Sequence, residues 1–231
     1  YNVFIGENVS DATMNDAVDN TAVGYSSMTA LTEGDENACF GRSSGAALTT
    51  GDANTAIGYF ALPQGQVCSN ITAVGRYVMG AGVVTAGANG AVGVGYNALA
   101  ELTSGAGNVA VGYQSATAIN IGRYNTAIGH QSLLADTIGD TTTAIGYQAL
   151  PNQVSDGNNK TSGNTGVGYG VGSELTDGNQ HTLVGYLAGR YNETGDNNTY
   201  IGYQAGYGVN NNNNSNNTAV GKDALLAITT G

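Results

Sequence analysis

The chain of 231 residues has no tryptophan, two prolines, three phenylalanines and only six basic residues. Seventeen acidic residues set a formal net charge of −11, which excludes attraction to phosphate backbones or to anionic lipid surfaces. Charged residues make up 10% of the chain, against ~25% in a typical soluble protein. No run of about 18 apolar residues occurs, so no segment reads as a membrane-spanning helix. Two cysteines, Cys39 and Cys68, are too few for a disulfide framework and read as free thiols. Proline is too scarce, and glycine too irregular, for a collagen helix. Glycine and tyrosine are abundant instead, at 37 and 14 residues, and a 41% hydrophobic content does not fit a disordered chain. The first residue is Tyr1, with no initiator Met and no leader, which predicts a processed or cropped piece.

Self-similarity decides the fold. The pentapeptide NTAVG recurs with variations, ending at Gly6, Gly24, Gly41, Gly58, Gly75, Gly93 or Gly95, Gly112, Gly129, Gly146, Gly168, Gly185, Gly202 and Gly221. With Gly95 as the sixth anchor, eight of the twelve spacings are 17 residues. A unit that short cannot bury its own apolar face and must stack on its neighbours, so the expected fold is all-β: a parallel β-solenoid of about 13 coils over residues 1–231. The longer spacings predict loops extruded near 80–90, 151–163 and 209–217. Since no capping sequence is visible at either end, a section of a longer array is expected.

The columns of the repeat carry chemistry. An apolar, mostly β-branched residue precedes every anchor glycine, Thr recurs three before it, and Ala often lies between. Alternation puts Thr with Val or Ile on one strand face and Ala with Gly on the other, and such composition predicts a strand buried on both sides. The anchor glycine has two readings of equal standing, a turn or a close backbone approach. Asn stands four before the anchor (Asn20, Asn54, Asn125, Asn164, Asn198 and Asn217 among others), which predicts an amide ladder at ~4.8 Å per coil. Apolar residues four and seven after the anchor, as in Met28 and Leu31, read as a second short strand or one helical turn, with strand favoured. A second glycine ten after the anchor, often before Asp or Asn, reads as a positive-φ turn.

Tyr follows the anchor at Tyr25, Tyr59, Tyr96, Tyr113, Tyr147, Tyr169, Tyr186 and Tyr203. An exposed column of this kind offers ring faces to sugars, and a packed one fills a corner of the coil or an interface between subunits. Regularity favours packing. Asp35, Asp52, Asp140 and Asp196 follow the second glycine and are candidate calcium ligands, because stacked carboxylates repel unless bridged. Against that, Ala106 and Arg123 break the column, and Arg123 beside Asp140 reads as a charge pair. Asn70, Asn159, Asn192, Asn213 and Asn216 open Asn-X-Ser/Thr sequons. His130 and His181 replace a Tyr and an Asn of the repeat in different columns, so no shared site is expected. With no phosphate-loop spacing, no Cys/His metal set and no acid–base pair, the chain does not read as an enzyme.

Segments such as NTAIGYFAL (54–62), TTAIGYQAL (142–150) and NTYIGYQAG (198–206) resemble repeats of phage and virus tail-fibre proteins. They are also similar to the SVAIG-type head repeats of trimeric autotransporter adhesins. The resemblance implies a left-handed β-roll, three chains packed side by side as a homotrimer, and an extracellular, cell-surface or virion location with a host glycan or protein as partner. The 17-residue coil is longer than in those adhesin heads, and no stalk, anchor or fibre-maturation domain is visible. A filament built end to end is the alternative assembly, since open β edges invite pairing. The Thr column also raises an ice-binding solenoid, although a second Thr two residues along is missing.

Overall fold

The computed structural model describes residues 1–155, 161–211 and 213–229. Thirteen three-residue strands follow one another along the chain: β1 (Val3–Ile5), β2 (Thr21–Val23), β3 (Ala38–Phe40), β4 (Thr55–Ile57), β5 (Thr72–Val74), β6 (Val92–Val94), β7 (Val109–Val111), β8 (Thr126–Ile128), β9 (Thr143–Ile145), β10 (Thr165–Val167), β11 (Thr182–Val184), β12 (Thr199–Ile201) and β13 (Thr218–Val220). They form one parallel sheet in sequential order. Pairing is in register throughout, each strand position on its counterpart one repeat away, as in Thr126↔Thr143 and Ile128↔Ile145. Val74 pairs with Val94, so Gly95 is the sixth anchor and Gly93 lies inside the strand. About twelve turns thus form a solenoid roughly 58 Å long at ~4.8 Å per coil. The register holds across β5/β6, β9/β10 and β12/β13, so the extra residues of the long spacings lie outside the sheet. Part of two of these segments (156–160 and 212) lies outside the described residues, and so does Gly231, which the sequence reads as a second glycine.

The rest of the coil differs from the expected second strand. Residues two and four after the anchor are left-handed whatever their side chain: Ser26 and Met28, Phe60 and Leu62, Gln131 and Leu133 have φ between 47 and 54°. Left-handed residues at every second position prevent an extended run, so this side of the coil is a succession of turns. Hydrogen bonding from coil to coil continues regardless, with Met28 N–H donating to Ser44 O at 3.0 Å and Ala30 N–H to Ala46 O at 3.1 Å. Each left-handed non-glycine residue costs ~1–2 kcal/mol, and the inter-coil hydrogen bonds offset that cost.

The core is a narrow seam between the strands and the turn side. The middle residue of each strand points inward (Ala22, Cys39, Ala56, Ala73, Ala110, Ala127, Ala144), against Met28, Leu62, Met79, Leu99, Leu133 and Leu150 four after the anchor. Leu31, Leu48, Leu102, Ile119 and Leu175, seven after it, complete the seam. At three coils volume is exchanged across it. Where the strand residue grows, the residue opposite shrinks: Cys39 faces Gly45, Leu183 faces Gly189, and buried Tyr200 faces Gly206. A Cβ on Gly45 would lie 2.5 Å from Cys39 Sγ, one on Gly189 2.8 Å from a Leu183 methyl, and one on Gly206 would overlap the Tyr200 ring.

The strands are not buried on both faces. Their first and third residues point outward and are half-buried or exposed, with Phe40 and Ile57 at 39% and Ile128 and Ile201 at 38%. Alternation correctly separates Thr and Val/Ile from Ala, but both faces are apolar enough to read as interior. The turn side supplies just one covering layer, and it lies on the Ala face.

Candidate functional site

Side-chain ladders running the length of the solenoid are its organising chemistry. At the anchor, Gly24 has φ +135° and a Cβ there would stand 2.6 Å from the Gly41 carbonyl oxygen; each anchor glycine abuts the next in this way. Turn conformation and close approach therefore coincide at one residue. The second glycines differ from expectation: Gly34, Gly51, Gly105, Gly122, Gly139, Gly178 and Gly195 do not take positive φ. They are required by space alone, since a Cβ on Gly34 would overlap the Gly51 carbonyl oxygen.

The asparagine column is a buried ladder. Asn37 donates from its backbone N–H (2.9 Å) and Nδ2 (3.0 Å) to Asn20 Oδ1, and Asn54 repeats both bonds to Asn37 at 3.0 and 2.9 Å. In the 17-residue coils Nδ2 also reaches the carbonyl fourteen residues on, as in Asn20 to Gly34 at 2.8 Å and Asn125 to Gly139 at 2.6 Å. Asn164, Asn198 and Asn217 belong to the same column. His181 takes an Asn position and reproduces its pattern: Nε2 pairs with Gly195 O at 2.6 Å and Nδ1 accepts from Asn198 N–H at 3.3 Å. Those partners select the neutral Nε2–H tautomer. Burial pushes the His181 pKa below the usual histidine range.

The ring column is continuous. From Tyr96 through Tyr113, His130, Tyr147, Tyr169 and Tyr186 to Tyr203, successive rings stack at 5.0–5.3 Å between centroids with planes 8–17° apart. Toward the N-terminus guanidinium groups take alternate places: Arg42 lies over Tyr25 (5.3 Å) and Tyr59 (5.9 Å), and Arg76 over Tyr59 (5.6 Å) and Tyr96 (5.8 Å). Lys222 stands 5.7 Å from Tyr203 at the other end. Half of the chain's six basic residues thus stand in this column, as cations on π faces. Position one after the anchor shows this in the sequence, where Arg and Lys occur among the tyrosines. Because stacked neighbours cover the ring faces, edges and hydroxyls are what solvent reaches, with Tyr113 and Tyr203 each 47% exposed. A surface groove of about 390 Å³ runs beside Tyr169 and Tyr186, opened by Gly170 between Gln148 and Leu187, with Glu174 and Arg190 on its rim.

The aspartates form another ladder. Asp35 Oδ1 accepts from Val18 N–H at 2.7 Å, Asp52 Oδ1 from Asp35 N–H at 2.9 Å, and Asp196 Oδ1 from Asn179 N–H at 2.8 Å. Asp140 meets the backbone N–H of Arg123 at 2.7 Å rather than its guanidinium. One oxygen of each candidate calcium ligand is therefore engaged by the coil before it. No group of three or more His, Cys, Asp or Glu side chains is arranged to hold a metal among the described residues.

The sequence gives little sign of the buried polar cluster beneath the β9–β10 segment. Asp136 accepts from Gly139 N–H and from Ser155 Oγ at 3.0 Å each, and from Gln153 Nε2 at 3.0 Å. Gln153 in turn joins Thr142, Ser162 and Asn164. Two polar residues seven after the anchor, where Leu is usual, were the available signal. Both cysteines are buried, which pushes the pKa of the Cys39 thiol up to about 12 and that of Cys68 to about 11 and so favours the protonated thiol at neutral pH. Of the sequons, Asn192 is buried, Asn70, Asn213 and Asn216 are exposed, and Asn159 lies outside the described residues.

The outward strand face is a continuous uncharged surface. First and third positions of all 13 strands hold only Thr, Val, Ile, Ala and Phe, without one charge. No protein-family model, no curated protein and no solved structure matches this chain, so the ladders and this face are what its function is read from.

Proposed function

We propose that the chain is a structural and adhesive section of an extracellular fibre, of the tail-fibre or adhesin kind its repeats resemble, and that it works as a side-by-side homotrimer. The uncharged strand face carries this reading. Two outward columns about 7 Å apart along ~58 Å make a strip of roughly 400 Å², within the ~300–600 Å² of the largest, often functional, patch on a monomer and about half of the ~800 Å² per partner of a standard interface. β-Branched side chains hold few rotamers and lose little entropy when covered. A second copy presents the same ~4.8 Å rows, so contacts made at one coil repeat at the next. The solenoid then serves as a stiff mount, and the segments near 80–90, 151–163 and 209–217, with the groove beside Tyr169, display the surface that meets a host glycan or protein.

Native mass measurement at micromolar concentration tests this. A discrete trimer is expected, and Ile128→Lys with Ile145→Lys should yield a folded monomer with unchanged circular dichroism. A parent chain that stays monomeric sinks the proposal, and open-ended polymers favour the end-to-end filament instead. The outward Thr rows favour one other reading, ice binding, for which a monomer should show thermal hysteresis that the two lysines abolish.

A further inference from the structure

We propose that the ring column is a site of oxidative modification, in which stacked tyrosines on adjacent coils couple through their ortho carbons to dityrosine. Four pairs are placed for it: Tyr96–Tyr113 at 5.2 Å, Tyr147–Tyr169 at 5.0 Å, Tyr169–Tyr186 at 5.3 Å and Tyr186–Tyr203 at 5.1 Å between centroids, with planes 8–17° apart. The backbone holds the partners opposite one another. Gly170 N–H donates to Tyr147 O at 2.9 Å, Leu187 N–H to Tyr169 O at 2.9 Å and Gln204 N–H to Tyr186 O at 2.8 Å. Neighbouring rings therefore meet at an effective concentration that free tyrosine never reaches. Their edges are open to a diffusing reagent, with Tyr147, Tyr169, Tyr186 and Tyr203 each 42–50% exposed.

The chemistry balances with a one-electron oxidant of the peroxidase class. Each phenol gives one electron to the oxidant and its hydroxyl proton to water, leaving a phenoxyl radical with spin on the ortho carbons. Two such radicals on stacked rings form a carbon–carbon bond, and each ortho hydrogen then returns through water to its oxygen, restoring two phenols. The pair loses two electrons and two protons, which one hydrogen peroxide accepts to become two waters. Each bridge closes a loop between successive coils and laces the solenoid along its length.

The column contains its own controls. Tyr25 and Tyr59 have Arg42 and Arg76 as column neighbours, and His130 separates Tyr113 from Tyr147. Tyr59–Tyr77 and Tyr191–Tyr207 meet edge-on at 87°. Photo-oxidation of the dilute folded chain with a ruthenium tris-bipyridine complex and persulfate is the test, read by dityrosine fluorescence, intact mass and peptide mapping. We expect intrachain bridges confined to the four stacked pairs, a loss of two hydrogens per bridge, and a several-fold lower yield in urea. Tyr169→Phe, which keeps a ring in the stack, should remove the two bridges that use Tyr169 and spare Tyr96–Tyr113 and Tyr186–Tyr203. Bridges spread equally over all tyrosines, equal yields in folded and unfolded chain, or fluorescence found only in covalent dimers would each overturn the assignment.

Discussion

At the scale of single residues, what the position forbids matters more than what it favours. Gly129 has φ +136° and faces the Gly146 carbonyl, so a methyl group there meets both a strained backbone and an occupied space. Gly90 has φ +78° with nothing within 4 Å of an added Cβ, so only backbone strain opposes it. Gly129→Ala is therefore expected to cost ~3 kcal/mol or more and lower the melting temperature by roughly 6–12 °C. Gly90→Ala should cost about 1 kcal/mol. Equal shifts for the two in a thermal melt would contradict the ladder of anchor glycines. His181 gives a residue-scale pH effect. Its folded pKa lies below the ordinary value, so the unfolded chain binds the proton more readily, and stability falls as pH drops. The contribution is whole above the unfolded pKa of about 6.5 and is lost as pH falls below it toward the lowered folded value. His181→Asn restores the amide of the repeat and should remove this part of the acid sensitivity, measured as the difference in melting temperature between about pH 7.5 and 5.5. A wild-type chain no more acid-sensitive than the variant in that window would show that the imidazole is not held neutral.

At the scale of the coil, strand and turn side are coupled through volume. Leu183→Ala is expected to cost ~2–5 kcal/mol for the cavity, and Gly189→Leu ~1–3 kcal/mol for overpacking against Leu183. Together they recreate the Ala–Leu pairing of Ala127 with Leu133, at a backbone conformation Leu133 already adopts with φ 48°. Denaturant midpoints should place the double variant within ~1 kcal/mol of the parent, far from the sum of the singles. Simple additivity would mean that the two sites do not share a cavity. This exchange was readable in the sequence, because the strand-centre and anchor-plus-four columns vary inversely at Cys39/Gly45, Leu183/Gly189 and Tyr200/Gly206. So were the strand register and the asparagine ladder, since both follow from identical residues stacked at a fixed period. Three things were less legible. Alternation at Thr126–Ile128 separates two faces without saying which one the turn side will cover. Spacing at Met28 and Leu31 marks both as core, but periodicity has no sign for a left-handed methionine. Stacking of Tyr147 on Tyr169 follows from the column, yet the same column is compatible with faces open to sugar.

At the scale of the whole molecule, charge is spread unevenly along an axis where each coil touches only its neighbours. Residues 1–60 carry eight carboxylates (Glu7, Asp11, Asp16, Asp19, Glu33, Asp35, Glu36 and Asp52) against one cation, Arg42, and so hold −7 of the total −11. Residues 96–150 carry three carboxylates and Arg123, a net −2. Strands one coil apart lie ~4.8 Å from each other, well inside the Debye length of ~30 Å at 0.01 M salt but not far outside the ~3 Å at 1 M. Repulsion between N-terminal coils is thus strong at low salt and largely screened at high salt. In a solenoid, stability is close to a sum of coil and interface terms, so repulsion confined to one stretch weakens that stretch. Amide hydrogen exchange should find the backbone N–H groups of β2–β4 less protected than those of β7–β9 in dilute buffer. Raising salt from ~0.01 to ~1 M should close much of that gap by slowing exchange in β2–β4 while leaving β7–β9 nearly unchanged. Uniform protection at low salt, or an equal response of both stretches, would mean that the Asp ladder's bonds to backbone N–H groups outweigh the repulsion between its carboxylates. A selective response would make the acidic coils the part of the rod that opens first.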